Sequence, residues 1–310
     1  MRVMPGSQLR LVRGRSLVVV AVVAAAASLL LFPTHSAGAA AAAAPRNKGL
    51  TITPIRAFIS QNAGTVKTSN ISVGNFTDGP VIVDFSVKAF TVNDYSYSFQ
   101  FNDAPANRVN FDIDKVSLKP NESKSIPFVI TLPTDSSPGG QYYTLFATAT
   151  GQTGTARQQV QAASLLYLTV NGKLIHTGGL RGSSISHFVY KSAIPFSLDI
   201  GNTGNVHYFA FINARLSGWF VGDVTSSETH LILPGTTRHF ASSIKSPVWP
   251  GLYRVTYGYS TDFQPAVTRI SRVVYIPPWS LAAVVIIAWI VWLIIHRHKL
   301  RIRRHSGVDD

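Results

Sequence analysis

Residues 81–89 read Val-Ile-Val-Asp-Phe-Ser-Val-Lys-Ala, and this short run decides the fold class. Val81, Val83, Phe85, Val87 and Ala89 alternate with Asp84, Ser86 and Lys88, the period of two expected of a strand with one face in a core. Upstream, Ile71 and Val73 lead into the turn-rich joint Asn75-Phe-Thr-Asp-Gly79-Pro80, whose Asn, Asp, Gly and Pro favour a reversal. Downstream, Ile126, Phe128, Ile130 and Leu132 alternate after the turn Lys119-Pro-Asn-Glu122. Tyr143, Leu145, Ala147 and Ala149 follow Pro138-Gly139-Gly140, and Leu166, Leu168 and Val170 complete the series. Asn93 to Arg108 is polar, aromatic and irregular, and reads as a long loop or excursion. Short strands separated by Gly/Pro turns predict an all-β chain built as an immunoglobulin-like sandwich. Without cysteine, it lacks the Cys–Trp–Cys pattern of antibody domains.

The second half of the chain repeats the first. Asn75-Phe-Thr-Asp-Gly79 corresponds to Asn202-Thr-Gly204-Asn205, and Leu118-Lys-Pro120 to Leu233-Pro234-Gly235. Pro138-Gly139-Gly140-Gln-Tyr142 corresponds to Pro250-Gly251-Leu-Tyr253. The order is the same and the spacings are comparable, 43 and 24 residues against 31 and 20. Two tandem sandwiches are therefore expected, over 49–170 and 171–275, with the boundary near Asn171-Gly172-Lys173.

Both ends carry membrane signals. Trp279 to Ile295 reads WSLAAVVIIAWIVWLII, without charge or proline. At about 1.5 Å per residue, a helix over Ile276–Ile295 spans about 30 Å, the thickness of a bilayer's hydrocarbon core. Pro277 and Pro278 suit a helix start, and Trp279, Trp289 and Trp292 include at least one indole ring near each interface. Arg297, Lys299, Arg301, Arg303 and Arg304 form a stop-transfer cluster. A single transmembrane α-helix over 276–296, with a basic cytoplasmic tail over 297–310, is the expectation. Its partner is the lipid bilayer. Arg2, Arg10, Arg13 and Arg15 precede the apolar run Leu17–Leu31, and Ser36-Ala37-Gly38-Ala39 offers small residues for cleavage. Residues 1–39 thus read as a signal peptide, with an uncleaved anchor as the alternative, and 40–48 as a flexible lead-in. The body of the chain is then extracellular and membrane-anchored.

Charge and cysteine narrow the function. The chain carries 28 Lys and Arg against 14 acidic residues. Nine of the basic residues sit in the two terminal segments, leaving 19 against 12 over 45–276, a net charge near +7. Half of the basic excess is therefore topology signal, and nucleic acid is not an expected partner. The absence of cysteine removes disulfides, thiolate metal sites and Cys nucleophiles, so the sandwiches must be held by their cores.

Catalytic motifs are missing. Neither G-x-S-x-G nor H-E-x-x-H occurs, and no catalytic, cofactor or metal residues are assigned. His176, His187, His207, His230 and His239 lack metal-ligand spacing and read as surface or loop residues. Asp112 and Asp114 are alternate residues of Phe-Asp-Ile-Asp, with no further oxygen ligands nearby in sequence for Ca²⁺. Leu233-Pro-Gly-Thr236-Thr237 nearly spells the sortase signal, but it ends in Thr and lies about 40 residues before the anchor, so it reads as a turn. Asn70-Ile-Ser72, Asn75-Phe-Thr77 and Asn121-Glu-Ser123 match the glycosylation sequon. Tyr95, Tyr97, Phe99 and Phe101 alternate in the irregular stretch; they fit a hairpin packed on its own sandwich, or a platform for sugar rings.

Taken together, the turns at Asn75 and Leu118, Gly201-Asn-Thr-Gly-Asn-Val206, Leu233-Pro-Gly-Thr-Thr-Arg238 and Trp249-Pro-Gly-Leu-Tyr253 resemble the WxL-interacting proteins of Gram-positive surfaces. The leader, two Ig-like domains, helix and basic tail fit the same family. The resemblance implies peptidoglycan binding by the first domain and binding of surface or host proteins by the second, with WxL-type surface proteins among the chain's partners; it carries over no binding residues. The expected function is a non-enzymatic, membrane-anchored surface protein that binds the cell wall or other surface proteins. The alternative is a chaperone-like assembly factor acting by β-strand addition, for which the segment Arg254–Ser260 is the candidate edge. An enzyme or anchored accessory subunit would need a clustered pocket.

Overall fold

The computed structural model describes residues 49–153, 156–218, 221–222 and 224–305. The leader and lead-in read above, residues 1–48, lie outside them.

The chain forms two β-sandwiches followed by one helix. In the first, β1 (Leu50–Thr53), β3 (Val66–Asn75), β8 (Ser123–Thr131) and β6 (Val109–Phe111) make one sheet in the order β1-β3-β8-β6. The facing sheet runs β2-β10-β9-β4-β5, from β2 (Arg56–Gln61), β10 (Ala156–Val170), β9 (Gly139–Thr153), β4 (Val81–Val92) and β5 (Phe99–Asp103). β7 (Lys115–Leu118) shares the outer edge of β4 with β5, pairing at Val81–Asp84 while β5 pairs at Lys88–Val92. The alternation read in the sequence fills the space between the sheets: Val83, Leu118, Phe128, Ile130, Leu145 and Leu168 are fully buried. Asn93–Arg108, expected as loop, contains the strand β5. Its Phe99 and Phe101 stand opposite Val92 and Phe90 of β4, so cross-strand aromatic packing makes regular what the polar flanks made look irregular.

The second sandwich repeats this plan with fewer strands. β11 (Gly178–Ile185), β13 (Ala193–Asn202) and β16 (Thr237–Lys245) form one sheet. β12 (Phe188–Val189), β18 (Gln264–Tyr275), β17 (Gly251–Thr261), β14 (Tyr208–Ser217) and β15 (Val224–Ile232) form the other, in that order. In each sandwich a short early strand crosses over to pair in parallel with the last strand, β2 with β10 and β12 with β18, whereas the other pairings are antiparallel.

Two buried asparagines are the chemical core of the repeat. The Nδ2 of Asn75 donates to the carbonyls of Gly79, Leu118 and Lys119, and its Oδ1 accepts from the Thr77 amide and hydroxyl. The Nδ2 of Asn202 donates to Val206 and Ile232, and its Oδ1 accepts from the Gly204 amide. Asn121 and Gly235, both with positive φ, donate their amides back to the carbonyls of Asn75 and Asn202. The equivalence of Leu118 with Ile232 aligns Pro120 with Pro234, one residue away from the register expected from sequence. The shift comes from the asparagine, which recognises the backbone carbonyl before the turn and not its side chain. Asn75 has no exposed surface, so of the three sequons this one is closed to modification in the folded chain.

The helix α1 spans Pro278–His305, starting two residues later than expected. Ile276 still donates its N–H to Val189 of the sheet, and Pro277 and Pro278 follow with none to donate. The helix then continues through the basic cluster, which the sequence had set apart as a tail. The window Pro278–Arg297 is long and apolar enough to cross a membrane, and none of it is buried against the rest of the chain.

Candidate binding edge and the junction between the sandwiches

Strand β10 is longer than the strand that covers it. Its inner side pairs with β9 over its whole length, but its outer side meets β2 only from Leu165 to Val170. The cause lies upstream. The chain that would have extended β2 backwards along β10 runs instead in the other sheet, as β1 paired with β3, and changes sheet at Pro54–Ile55. Ser164 and Leu165 are the last residues held there, through the hydroxyl to Pro54 O and the amide to Ile55 O. Beyond them, toward the β9–β10 turn, no strand stands on the outer side among the described residues.

The direction of the open groups follows from the pleat. The amides of Leu165 and Asn171 point outward, to the carbonyls of Ile55 and Gln61. Successive residues of a strand alternate, so Gln159, Gln161 and Ala163 also present N–H and C=O outward. The uncovered part of β10 holds one charged residue, Arg157 near the turn, and the stretch Gln159–Ala163 contains neither charge nor proline, the devices by which exposed edges are normally blunted. Two other long edges carry them. Among the described residues, β18 also has no strand on its outer side from Gln264 to Val273, but it holds Pro265, Arg269 and Arg272. β11 is interrupted by a bulge beside Arg181. The segment Arg254–Ser260, expected as an edge, is not one: β17 lies between β14 and β18. Its alternating pattern belongs to a central strand, and the open strand is the next one.

The two sandwiches meet in an aromatic junction. Phe90, Val92 and Tyr167 of the first pack with Leu231 and Leu233 of the second in a separate buried cluster. The turn resembling a sortase signal is thus a structural turn: Leu233 lies in this cluster, and Thr236 Oγ1 donates to the Leu233 carbonyl. Phe58 stacks on Tyr167 with ring centres 4.9 Å apart and touches His207 and Phe209. Gly140 donates its amide to Asn205 O, and Asn205 Nδ2 donates to Pro138 O. A Cβ on Gly139, whose φ is +140°, would lie 2.6 Å from that Asn205 carbonyl.

The alternating aromatics divide between the sandwiches. Phe99 packs on Phe90, and Phe101 on Phe146, of their own sheet. Tyr95 bridges instead to Arg238 in the outer edge of β16, donating to Thr237 O and accepting from the His239 amide. Asp94 accepts from the Thr237 amide, and the Arg238 guanidinium lies 3.9 Å from the Tyr97 ring centre. Tyr95 and Tyr97 both have positive φ, an unfavourable conformation for bulky residues that persists because the second sandwich holds it.

His207, expected at the surface, lies within the junction beside Tyr142 (Nδ1 to hydroxyl, 3.3 Å) and Tyr167. Burial lowers its pKa from the ordinary 6.5 to about 4. A histidine kept neutral when folded contributes nothing adverse above pH 6.5. Below that, the unfolded chain binds the proton more readily, and stability is lost down to about pH 4. The loss should reach at most about 3 kcal/mol. Thermal melts of the full chain between pH 7.5 and 4 should show this decline, and His207→Gln should flatten it.

The remaining histidines are dispersed, His230 on Glu228 at 3.0 Å and His239 on Asp199 at 2.6 Å among them. Asp112 and Asp114 are exposed, and no group of three or more potential ligands gathers among the described residues. Phe85, Val87, Pro105, Asn110 and Asp114 help to line an open cleft of about 240 Å³, without a nucleophile–base pair.

No protein-family model matches the sequence, and a search of curated proteins finds no relative. Solved structures with a similar strand arrangement include the class 5 fimbriae chaperone CfaA, at 15% identity and a TM-score of 0.41, covering 74% of this chain and all of that one. The CsuC–CsuE chaperone–tip subunit complex of Acinetobacter baumannii pili matches at 13% and 0.39, covering 73% and 99%. The Salmonella enterica SafA pilin–SafB chaperone complex matches at 14% and 0.35, covering 73% and 96%. These likenesses are distant and bear on neither partner nor activity.

Proposed function

We propose that this chain is a non-enzymatic, membrane-anchored binding protein that takes up an extended segment of another exported protein at the open edge of β10. The observation that supports this reading is the row of outward N–H and C=O groups at Gln159, Gln161 and Ala163, unblunted by charge or proline. An added strand satisfies those groups through its backbone, and side chains on alternate residues supply selectivity. The second sandwich sets the height. Its ten-residue strand β13 runs from the helix end to the junction, about 33 Å, so the edge is presented clear of the bilayer. Tethering raises its effective concentration toward other surface-bound chains, and modest affinity suffices.

The test is selection of a random twelve-residue peptide library on the full chain in detergent. Alternating apolar sequences that bind with micromolar or better affinity are expected. Recovery of no binding peptide, or of peptides that bind equally well to a chain with β10 blocked, contradicts the reading.

A second reading, wall binding, follows the resemblance to WxL-interacting proteins and has one structural observation in its favour. Phe99 and Phe101 lie side by side on the edge strand β5, partly exposed, with rings 8° from parallel and 6.2 Å apart, a surface on which sugar rings stack. On this reading the chain co-sediments with peptidoglycan stripped of anionic polymers even in high salt, which screens plain charge attraction. Phe99→Ala with Phe101→Ala then lowers the bound fraction at least fivefold. Binding that disappears with salt removes this reading.

A further inference from the structure

We propose that the helix end of the second sandwich is itself a membrane-seating surface, its apolar rim immersed among lipid headgroups and its arginines on their phosphates. The inference rests on the reading of α1 as a membrane span and goes beyond it, since it gives the sandwich a lipid contact of its own.

The connection leaves little room for any other placement. β18 ends at Tyr275 and α1 begins at Pro278, with only Ile276 and Pro277 between them. Ile276 is hydrogen-bonded to Val189, and Ser280 to Pro277, so neither side of the joint is slack. A sandwich two residues from the span must lie against the bilayer surface. What it presents there is apolar: Phe188, Tyr190, Val248, Trp249 and Leu252 are all exposed, Phe188 by 76% and Val248 by 72%. The loop that carries Val248 and Trp249 is pinned, by Tyr253 Oη to Trp249 O and Ser246 Oγ to Lys191 O. The Trp249 ring meets that of Trp279, in the first turn of α1, at 5.7 Å. The rim is thus continuous with the surface of the span, and Trp and Tyr are the residues favoured at a membrane interface.

Register adds the charge. Phe188, Val274 and Leu252 lie abreast across β12, β18 and β17. The next row outward on the same face, two residues or about 6.7 Å from the first, pairs Arg254 directly with Arg272. Like charges facing each other across a strand pair repel, and neither arginine has an ion-pair partner among the described residues. A row of phosphates just above the apolar rim would relieve that repulsion. The distance from apolar row to arginine row matches the step from the upper acyl region to the headgroups, where long basic side chains extend outward.

The chain has no cysteine, so single labels can be placed cleanly. Phe188→Cys, Leu252→Cys, Trp289→Cys and Lys67→Cys, each carrying a nitroxide, would be compared in the full chain reconstituted in phosphatidylcholine vesicles with and without phosphatidylglycerol. Labels at 188 and 252 should be at least threefold less accessible to a water-soluble relaxant than the label at 67 in the distal sandwich. Phosphatidylglycerol should widen that difference, and Arg254→Gln with Arg272→Gln should cancel the widening. Labels at 188 and 252 as accessible as at 67, with 289 shielded, overturn the seating surface while leaving the span intact. Accessibility at 289 as well overturns the span and the inference together. Indifference to phosphatidylglycerol overturns the role of the arginines.

Discussion

Asn75→Ala should destabilise the first sandwich by about 3–4 kcal/mol. The substitution removes the donors to Gly79, Leu118 and Lys119 and the acceptor for the Thr77 amide and hydroxyl, all from a position without exposed surface. A net hydrogen bond contributes about 1 kcal/mol, and a carbonyl left buried and unpaired costs about 1–3 kcal/mol. Bonds that share one side chain are not additive, which sets the estimate below the sum. Asn75→Asp should be no milder, because a carboxylate has no N–H to offer three facing carbonyls. Asn202→Ala, with the equivalent bonds to Val206, Ile232 and Gly204, should cost the second sandwich about 3 kcal/mol. Thermal melts of the full chain should resolve both losses; a change below about 1 kcal/mol at either site would show that these asparagines do not organise their sandwiches.

The second large effect concerns binding and leaves the fold mostly intact. Gln161→Pro and Ala163→Pro each delete an outward N–H of β10 and add a ring on the side where an incoming strand would sit. Their amides are not among those directed to β9, so the ladder with β9 keeps its hydrogen bonds and the melting temperature should fall by only a few degrees. Affinity for a selected extended peptide should fall more than tenfold. The neighbouring Ala162→Pro removes an inward N–H from the β9 ladder and should reverse the balance, with a large loss of stability. A peptide that binds Gln161→Pro and Ala163→Pro as well as the parent does not bind at this edge.

Much of the architecture is legible in the sequence because its signals are local. The alternation at Val81–Ala89 reports a half-buried strand without knowledge of its partners, and the uncharged run Trp279–Ile295 reports a span by length alone. The repeat is legible because the same turn chemistry is used twice. Pairing is not local. Arg254–Ser260 and Gln264–Tyr275 both look like strands, and which of them is interior depends on which one β14 joins, from 37 to 49 residues upstream of its partners in β17. The open edge of β10 is hidden for the same reason: it arises from the change of sheet at Pro54–Ile55, about a hundred residues before the strand it leaves uncovered. The junction was partly visible as the row Tyr95, Tyr97, Phe99 and Phe101, but a period of two cannot say that two of its rings serve one sandwich and two of its residues grip the other. His207 carried no signal at all, since a lone histidine before an apolar strand reads the same at a surface and in an interface.

The most direct test of the open edge is residue-resolved hydrogen exchange of the full chain, free and with a selected peptide bound. In the free chain the amides of Gln161 and Ala163 should exchange rapidly, while that of Ala162, held against β9, is protected. Peptide should slow Gln161 and Ala163 at least tenfold and leave Ala162 unchanged. Slow exchange at Gln161 and Ala163 in the free chain would mean that the edge is already covered, and unchanged fast exchange with peptide bound would place the binding site elsewhere; either result contradicts the account.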